Sequence, residues 1–183
     1  MAALRESGWQ ALWPAARRSG IAAWLGERGS LTRRLRAHCQ QLTLIRLQQG
    51  WQRPQPDQRP LLGRGTLRVW GRQVLLLADG IPVVYAHSIA LPAVLRGRWR
   101  LLCRLGGRPI GDAVFARPST RRGPIRVRCL RPGHPLQRAA CASAGLPDAM
   151  RLWARRSAFV DGGQALWVSE VFLPALARLR RCV

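Results

Sequence analysis

"MRLWARRSAFVDGGQALWVSEVFLP" occupies residues 150–174 and carries the strongest architectural signal in the chain. Two runs rich in aromatic and β-branched residues flank Asp161-Gly162-Gly163, which predicts two antiparallel strands joined by a tight turn. Alternate side chains of a strand share a face. Leu166, Val168, Glu170 and Phe172 therefore lie on one side of the last strand, and Trp167, Ser169 and Val171 on the other. Both sides are largely apolar, so neither gives Glu170 an easy exit to water. A carboxylate in such company is costly unless it is paired or takes up a proton.

The same arithmetic in "RVWGRQVLLLADG", 68–80, puts Arg72 on one face with Trp70, Val74 and Leu76. This run and "IPVVYAHSIALP" meet at Asp79-Gly80, a second hairpin signal. Arg72 is thus an arginine among apolar neighbours, as Glu170 is a carboxylate among them. Patterning leaves two possibilities open: a structural ion pair between them, or a ligand site.

Working outward, "LTLIRLQQGW" from residue 42 reads as a strand and "QRPQPDQRPLLGRG" as a loop. Residues 93–106 return to helical spacing, "RPIGDAVF" reads as a short helix, and "PIRVRCL" as a strand. "HPLQRAACASAGLPDA" reads as a loop of small residues. Residues 4–39 read as helical, broken at Pro14, with Ser30 as N-cap of "LTRRLRAHC". About six strands, mostly in antiparallel hairpins with helices before and between, predict an α+β fold. At 183 residues one domain over 1–183 is expected, its core at about 20–175.

Composition narrows the function. The formal charge of +23 invites a nucleic-acid partner, yet all 31 basic residues are arginine and they are scattered through every segment. No zinc finger, aromatic RNA-binding motif or basic tail accompanies them, so a solvated basic surface is expected and nucleic acid is not. The five cysteines and three histidines lack metal-ligand spacing, and no metal is expected. No phosphate-binding glycine loop is present. Apolar runs are too short to span a bilayer and no signal peptide is visible, so a cytoplasmic protein is expected.

The Glu170 stretch, "ADG" at 78–80 preceded by Arg72, "LGGRPIGDAVF" at 105–115 and "LWARRS" at 152–157 together resemble the chorismate pyruvate-lyase family. "WLGERGSLTRRLR" at 24–36 is similar to that family's early segment. The resemblance implies a six-stranded antiparallel sheet with helical flaps over a buried pocket. It also implies cofactor-free conversion of chorismate to 4-hydroxybenzoate and pyruvate, the first committed step of ubiquinone biosynthesis; a monomer is expected. In the family an arginine matching Arg72 holds the ring carboxylate, and a glutamate matching Glu170 meets the 4-hydroxyl. Two apolar residues close the pocket; they match Leu31 and Ile110, where Met and Leu are usual. Family members often carry an arginine where this chain has His87, which makes His87 a weaker candidate for the second carboxylate. Of the adjacent Arg155 and Arg156, strand parity with Ala154 and Ala158 favours Arg156 as a further weak candidate.

Two other readings compete. The same fold serves as a small-molecule-sensing domain in bacterial transcription regulators, where it follows a DNA-binding domain for which 183 residues from Met1 leave no room. An arginine-rich nucleic-acid-binding protein is the other.

Overall fold

The computed structural model describes residues 8–63 and 65–180; Cys182 and the start of the first predicted helix, residues 4–7, lie outside these. Seven strands form one antiparallel sheet: β1 (Leu42–Gln52), β2 (Val69–Ala78), β3 (Ile81–Ala90), β4 (Arg121–Arg122), β5 (Arg126–Leu130), β6 (Leu152–Asp161) and β7 (Gln164–Phe172). Their order is β1-β2-β3-β7-β6-β4, with β5 also paired to β6. The α+β class stands. The seventh strand is β4, two residues long and too short to leave a period in the sequence.

Both predicted hairpins form. Asp79 and Gly80 adopt φ of 49° and 81°, and Gly162 and Gly163 adopt 56° and 75°, the left-handed pair that suits tight hairpin turns. β3 then pairs with β7, joining the two hairpins through Ala86↔Glu170 and Ser88↔Val168. Because helices cover both faces, the strands are apolar on both sides.

The helices are short: α1 (Pro14–Arg17), α2 (Ala22–Leu25), α3 (Leu31–Arg36), α4 (Arg59–Leu62), α5 (Pro92–Arg96), α6 (Ile110–Phe115) and α7 (Pro135–Ala144). Ser30 caps α3 as predicted, its Oγ accepting from the Arg33 N–H at 3.2 Å. Pro14 opens α1 instead of breaking a longer helix, as its missing N–H allows in a first turn. α7 corrects the loop predicted at 134–149. His134 Nδ1 accepts from the Leu136 N–H, Pro135 starts the helix, and Gly145 closes it at φ 64°. Its small residues let the helix lie close on the sheet, burying Leu136, Ala140 and Cys141 against Leu75, Tyr85 and Val171. Among the described residues no helix is long and apolar enough to cross a membrane.

The sheet face bearing α7 is the back. Across it runs the row Gln73–His87–Ser169–Arg156. Arg156 donates from Nε to Ser169 Oγ at 2.8 Å, is ion-paired with the Asp57 carboxylate, and lies 4.2 Å above the Trp9 ring. Asp57 belongs to the proline-rich loop after β1, so this pair pins that loop to the sheet. His87 sits between the amides of Gln52 and Gln58, at 2.8 and 3.0 Å from its two ring nitrogens. Both neighbours are amide nitrogens, which donate, so the bare ring nitrogen of a neutral imidazole accepts from one of them.

Burial pushes the His87 pKa down to about 4, with Arg156 adding to the shift and Asp57 opposing it. The unfolded chain takes up a proton at His87 below about pH 6.5 while the native state does not. This histidine therefore withdraws stability as pH falls from about 6.5 towards 4. Urea titrations at about pH 7.5 and about pH 5 should differ by on the order of 2 kcal/mol from this source, and His87→Gln should remove that difference.

Candidate active site

The opposite, front face carries two apolar clusters. One gathers Leu35, Leu76, Val84 and Phe172 beneath α2 and α3. The other gathers Trp70, Val94, Trp99, Phe159 and Leu166 beneath α5 and α6. Between them the sheet contributes two cross-strand rows: Arg72–Ser88–Val168–Ser157 and Val74–Ala86–Glu170–Arg155. A cavity of about 580 Å³, its mouth included, stands over these rows. Leu31 from α3 and Ile110 from α6 line it from above, and Arg122 lines it beside Arg155.

Four residues expected at a site thus meet around one cavity: Leu31, Arg72, Ile110 and Glu170. The pattern left a choice between an Arg72–Glu170 ion pair and separate roles, and the geometry supplies separate roles. Among the described residues Arg72 meets no carboxylate. Its Nη2 donates to the carbonyls of Gly106 and Arg108, both at 2.9 Å, which fixes the guanidinium plane. Nε and Nη1 are buried without a partner. Burial, with Arg46 nearby, pulls the Arg72 pKa down to about 10, so it remains a cation at neutral pH. An unanswered buried donor costs about 1–3 kcal/mol, and an anion reaching Nε or Nη1 would remove the cost at that nitrogen.

Glu170 is paired elsewhere. Its Oε2 accepts from Arg155 Nε at 2.5 Å and lies 3.8 Å from Arg122 Nη2. Both arginines reach Oε2; Oε1 has no partner among the described residues. One oxygen of the glutamate is thus unengaged by the described residues.

His87 and Arg156 do not belong here. Both sit in the back-face row, with the sheet between them and the cavity. Arg155 is the cavity residue of the pair. Parity with Ala154 and Ala158 pointed the wrong way because those alanines pack on the back of the sheet. The signal that finds Arg155 is the turn. A two-residue loop at Gly162-Gly163 pairs Asp161 with Gln164, and counting back along both strands sets Arg155 opposite Glu170. Arg122 had no such signal; β4 reaches the cavity only through tertiary packing.

Two short helices roof the site and are latched together. Asp112 of α6 accepts from Thr32 Oγ1 at 3.1 Å and from both terminal nitrogens of Arg36, at 3.3 and 2.9 Å. Gly111 permits this approach, since a Cβ there would lie 3.2 Å from Thr32 Oγ1. The Arg36–Asp112 pair is half exposed, and such pairs add under about 1 kcal/mol to stability. Asp112→Ala should therefore leave the melting temperature within about 4 °C of the parent. It should nonetheless weaken retention of a cavity ligand, measured by its dissociation rate.

Comparison with known proteins bears on the family of the chain. The chorismate lyase family model matches residues 7–180. A protein of Aromatoleum aromaticum named "probable chorismate pyruvate-lyase" is 46% identical over 159 residues, covering 85% of each chain. One of the same name from an Azoarcus species is 42% identical over 179 residues, covering 93% of each. Among solved structures, a GntR-family transcriptional regulator from Bacillus cereus has a TM-score of 0.55 at 14% identity, covering 78% of this chain and 98% of the other. The C-terminal domain of the histidine utilization repressor from Pseudomonas syringae has 0.51 at 14%, covering 78% and 99%. At such identity these regulators share the fold alone. Matched over nearly its whole length by the family model and by relatives above 40% identity, the chain belongs to the chorismate lyase family.

Proposed function

We propose that this protein converts chorismate to 4-hydroxybenzoate and pyruvate. The observation that carries the reading is the pair of unpartnered buried nitrogens of Arg72, Nε and Nη1, lining the same cavity as Glu170 with its unengaged oxygen. Chorismate carries its ring carboxylate and its ring hydroxyl at opposite ends of a six-membered ring. Arg72 is suited to the carboxylate, its guanidinium fixed through Nη2 with two further nitrogens left to donate, an arrangement that lysine could not reproduce. Glu170 Oε1 is suited to the hydroxyl. Leu31, Ile110, Val74 and Val168 supply apolar walls for the ring between them.

The chemistry asks little else of the protein. The ether bond to the ring breaks with its electron pair leaving on the enolpyruvyl oxygen. The neighbouring ring carbon, which bears the hydroxyl, loses its proton, and the ring becomes aromatic. The departing enolate takes a proton on its methylene carbon and becomes pyruvate, so no proton is consumed overall. Aromatisation drives the reaction, and the protein contributes orientation and exclusion of water. No cofactor is required by this balance. The product would feed ubiquinone biosynthesis in the cytoplasm.

Purified protein incubated with chorismate should release 4-hydroxybenzoate and pyruvate in equal amounts; prephenate or salicylate instead would overturn the reading. Arg72→Lys should lower kcat/KM by about 100-fold, the scale of losing one partner of a desolvated charge pair. If Glu170→Gln keeps full turnover while Glu170→Ala loses binding, Glu170 positions the substrate without moving a proton.

A further inference from the structure

We infer that Arg155 and Arg122 form a subsite for the second, enolpyruvyl carboxylate of the substrate, beside Glu170; this rests on the chorismate reading above. The first support is charge. The ionisable residues lining the cavity are Arg72, Arg122, Arg155 and Glu170. Three guanidiniums against one carboxylate leave two positive charges, and chorismate is a dianion. Glu27, on the adjoining loop, is hydrogen-bonded to Arg34 at 2.9 Å and attracts Arg122 and Arg155 from outside the lining of the cavity. The surplus is divided between the ends of the cavity: one charge on Arg72, and one on the pair of arginines that Glu170 only half neutralises.

The second support is donor geometry. Arg155 gives Nε to Glu170 and Nη1 to the carbonyls of Trp24 and Glu27, both at 2.8 Å. Its Nη2 is buried and has no partner. Arg122 gives Nε to Ser157 Oγ at 3.0 Å and Nη1 to the carbonyls of Glu27, Arg28 and Gly29 at 3.1–3.2 Å. Its Nη2, 3.8 Å from Glu170, is beyond hydrogen-bond length and available to a nearer anion. The aromatic rings of Phe172 and Phe159 lie under the two guanidiniums, at 5.6 and 5.1 Å. Each arginine is therefore held by backbone carbonyls and an aromatic face, with one nitrogen left over. Donors fixed in this way need no reorganisation when an anion arrives.

The third support is the substrate's shape. In chorismate the carbon bearing the enolpyruvyl ether adjoins the carbon bearing the hydroxyl. A ring set with its carboxylate on Arg72 and its hydroxyl on Glu170 brings the enolpyruvyl group alongside Glu170, where the two spare nitrogens lie. The subsite then acts twice. It selects the dianion, and it stabilises the negative charge that gathers on the enolpyruvyl group as the ether bond breaks. The aromatic product carries no such carboxylate, so the subsite favours substrate over product.

This difference is the test. In wild-type protein, 4-hydroxybenzoate bearing a carboxymethoxy group beside its hydroxyl should bind at least about tenfold more tightly than the uncharged methoxy analogue. Arg122→Gln should abolish that preference. It should also lower kcat/KM for chorismate by about 30-fold or more, while the Kd of 4-hydroxybenzoate moves less than about threefold. Arg155→Lys, which keeps a charge for Glu170 but not the spare nitrogen, should show the same split. Equal affinity for the two analogues in wild-type protein, or a parallel loss of product and substrate binding in the variants, would overturn the subsite. A wild-type protein that neither turns over chorismate nor binds 4-hydroxybenzoate would instead overturn the reading on which it rests.

Discussion

A carboxylate at the centre of an apolar sheet is tolerable only beside a compensating charge, and the cross-strand pair of Arg155 with Glu170 supplies it. Leaving such a charge unpaired costs several kcal/mol, whereas an apolar pair of the same volume would serve the sheet as well as the ion pair does. Sheet stability therefore does not account for these two residues at these positions. The cavity does. With Oε2 committed to Arg155, Glu170 is fixed in place in the lining of the cavity beneath α3 and α6. With Nε committed to Glu170 and Nη1 to the carbonyls of Trp24 and Glu27, Arg155 ties the floor of the site to the segment leading into its roof.

The sheet separates two polar systems by the thickness of one backbone. On the front, Arg72, Glu170, Arg155 and Arg122 surround a cavity and retain unfilled hydrogen-bonding capacity. On the back, His87, Arg156, Ser169, Gln52, Gln58 and Asp57 bond to one another and anchor a loop. Adjacent residues in sequence, such as Arg155 with Arg156 or Ser169 with Glu170, belong to opposite systems. A register slip of one residue would exchange them and put unpaired charges into both layers, so the register is strongly specified. The two glycine-containing turns and the β3–β7 pairing enforce it.

Much of this was visible in the residues. The two hairpins, the Ser30 cap and the α+β class follow from local rules, because turn chemistry, alternation and capping act over a few residues. Arg72 and Glu170 stood out because charge inside an apolar strand is uncommon and needs a reason. α7 was hidden by its composition: a run of alanine, serine and cysteine has a weak apolar period, and the helix stems from its packing on Leu75, Tyr85 and Val171. β4 was too short to show any period. Leu31 and Ile110 had the unremarkable pattern of core residues, and only the resemblance to a family singled them out.

Local rules were enough to set which strands pair through turns and that one arginine and one glutamate would face an apolar environment, since these depend on neighbours a few positions apart. Tertiary structure alone decided that the two are not partners, that Arg155 and not Arg156 faces Glu170's cavity, and that Arg122 joins them from β4. The reason is physical. Each of these outcomes depends on which strand lies beside which and on what covers each face, and β3, β7 and the roofing helices meet only through contacts between residues dozens of positions apart.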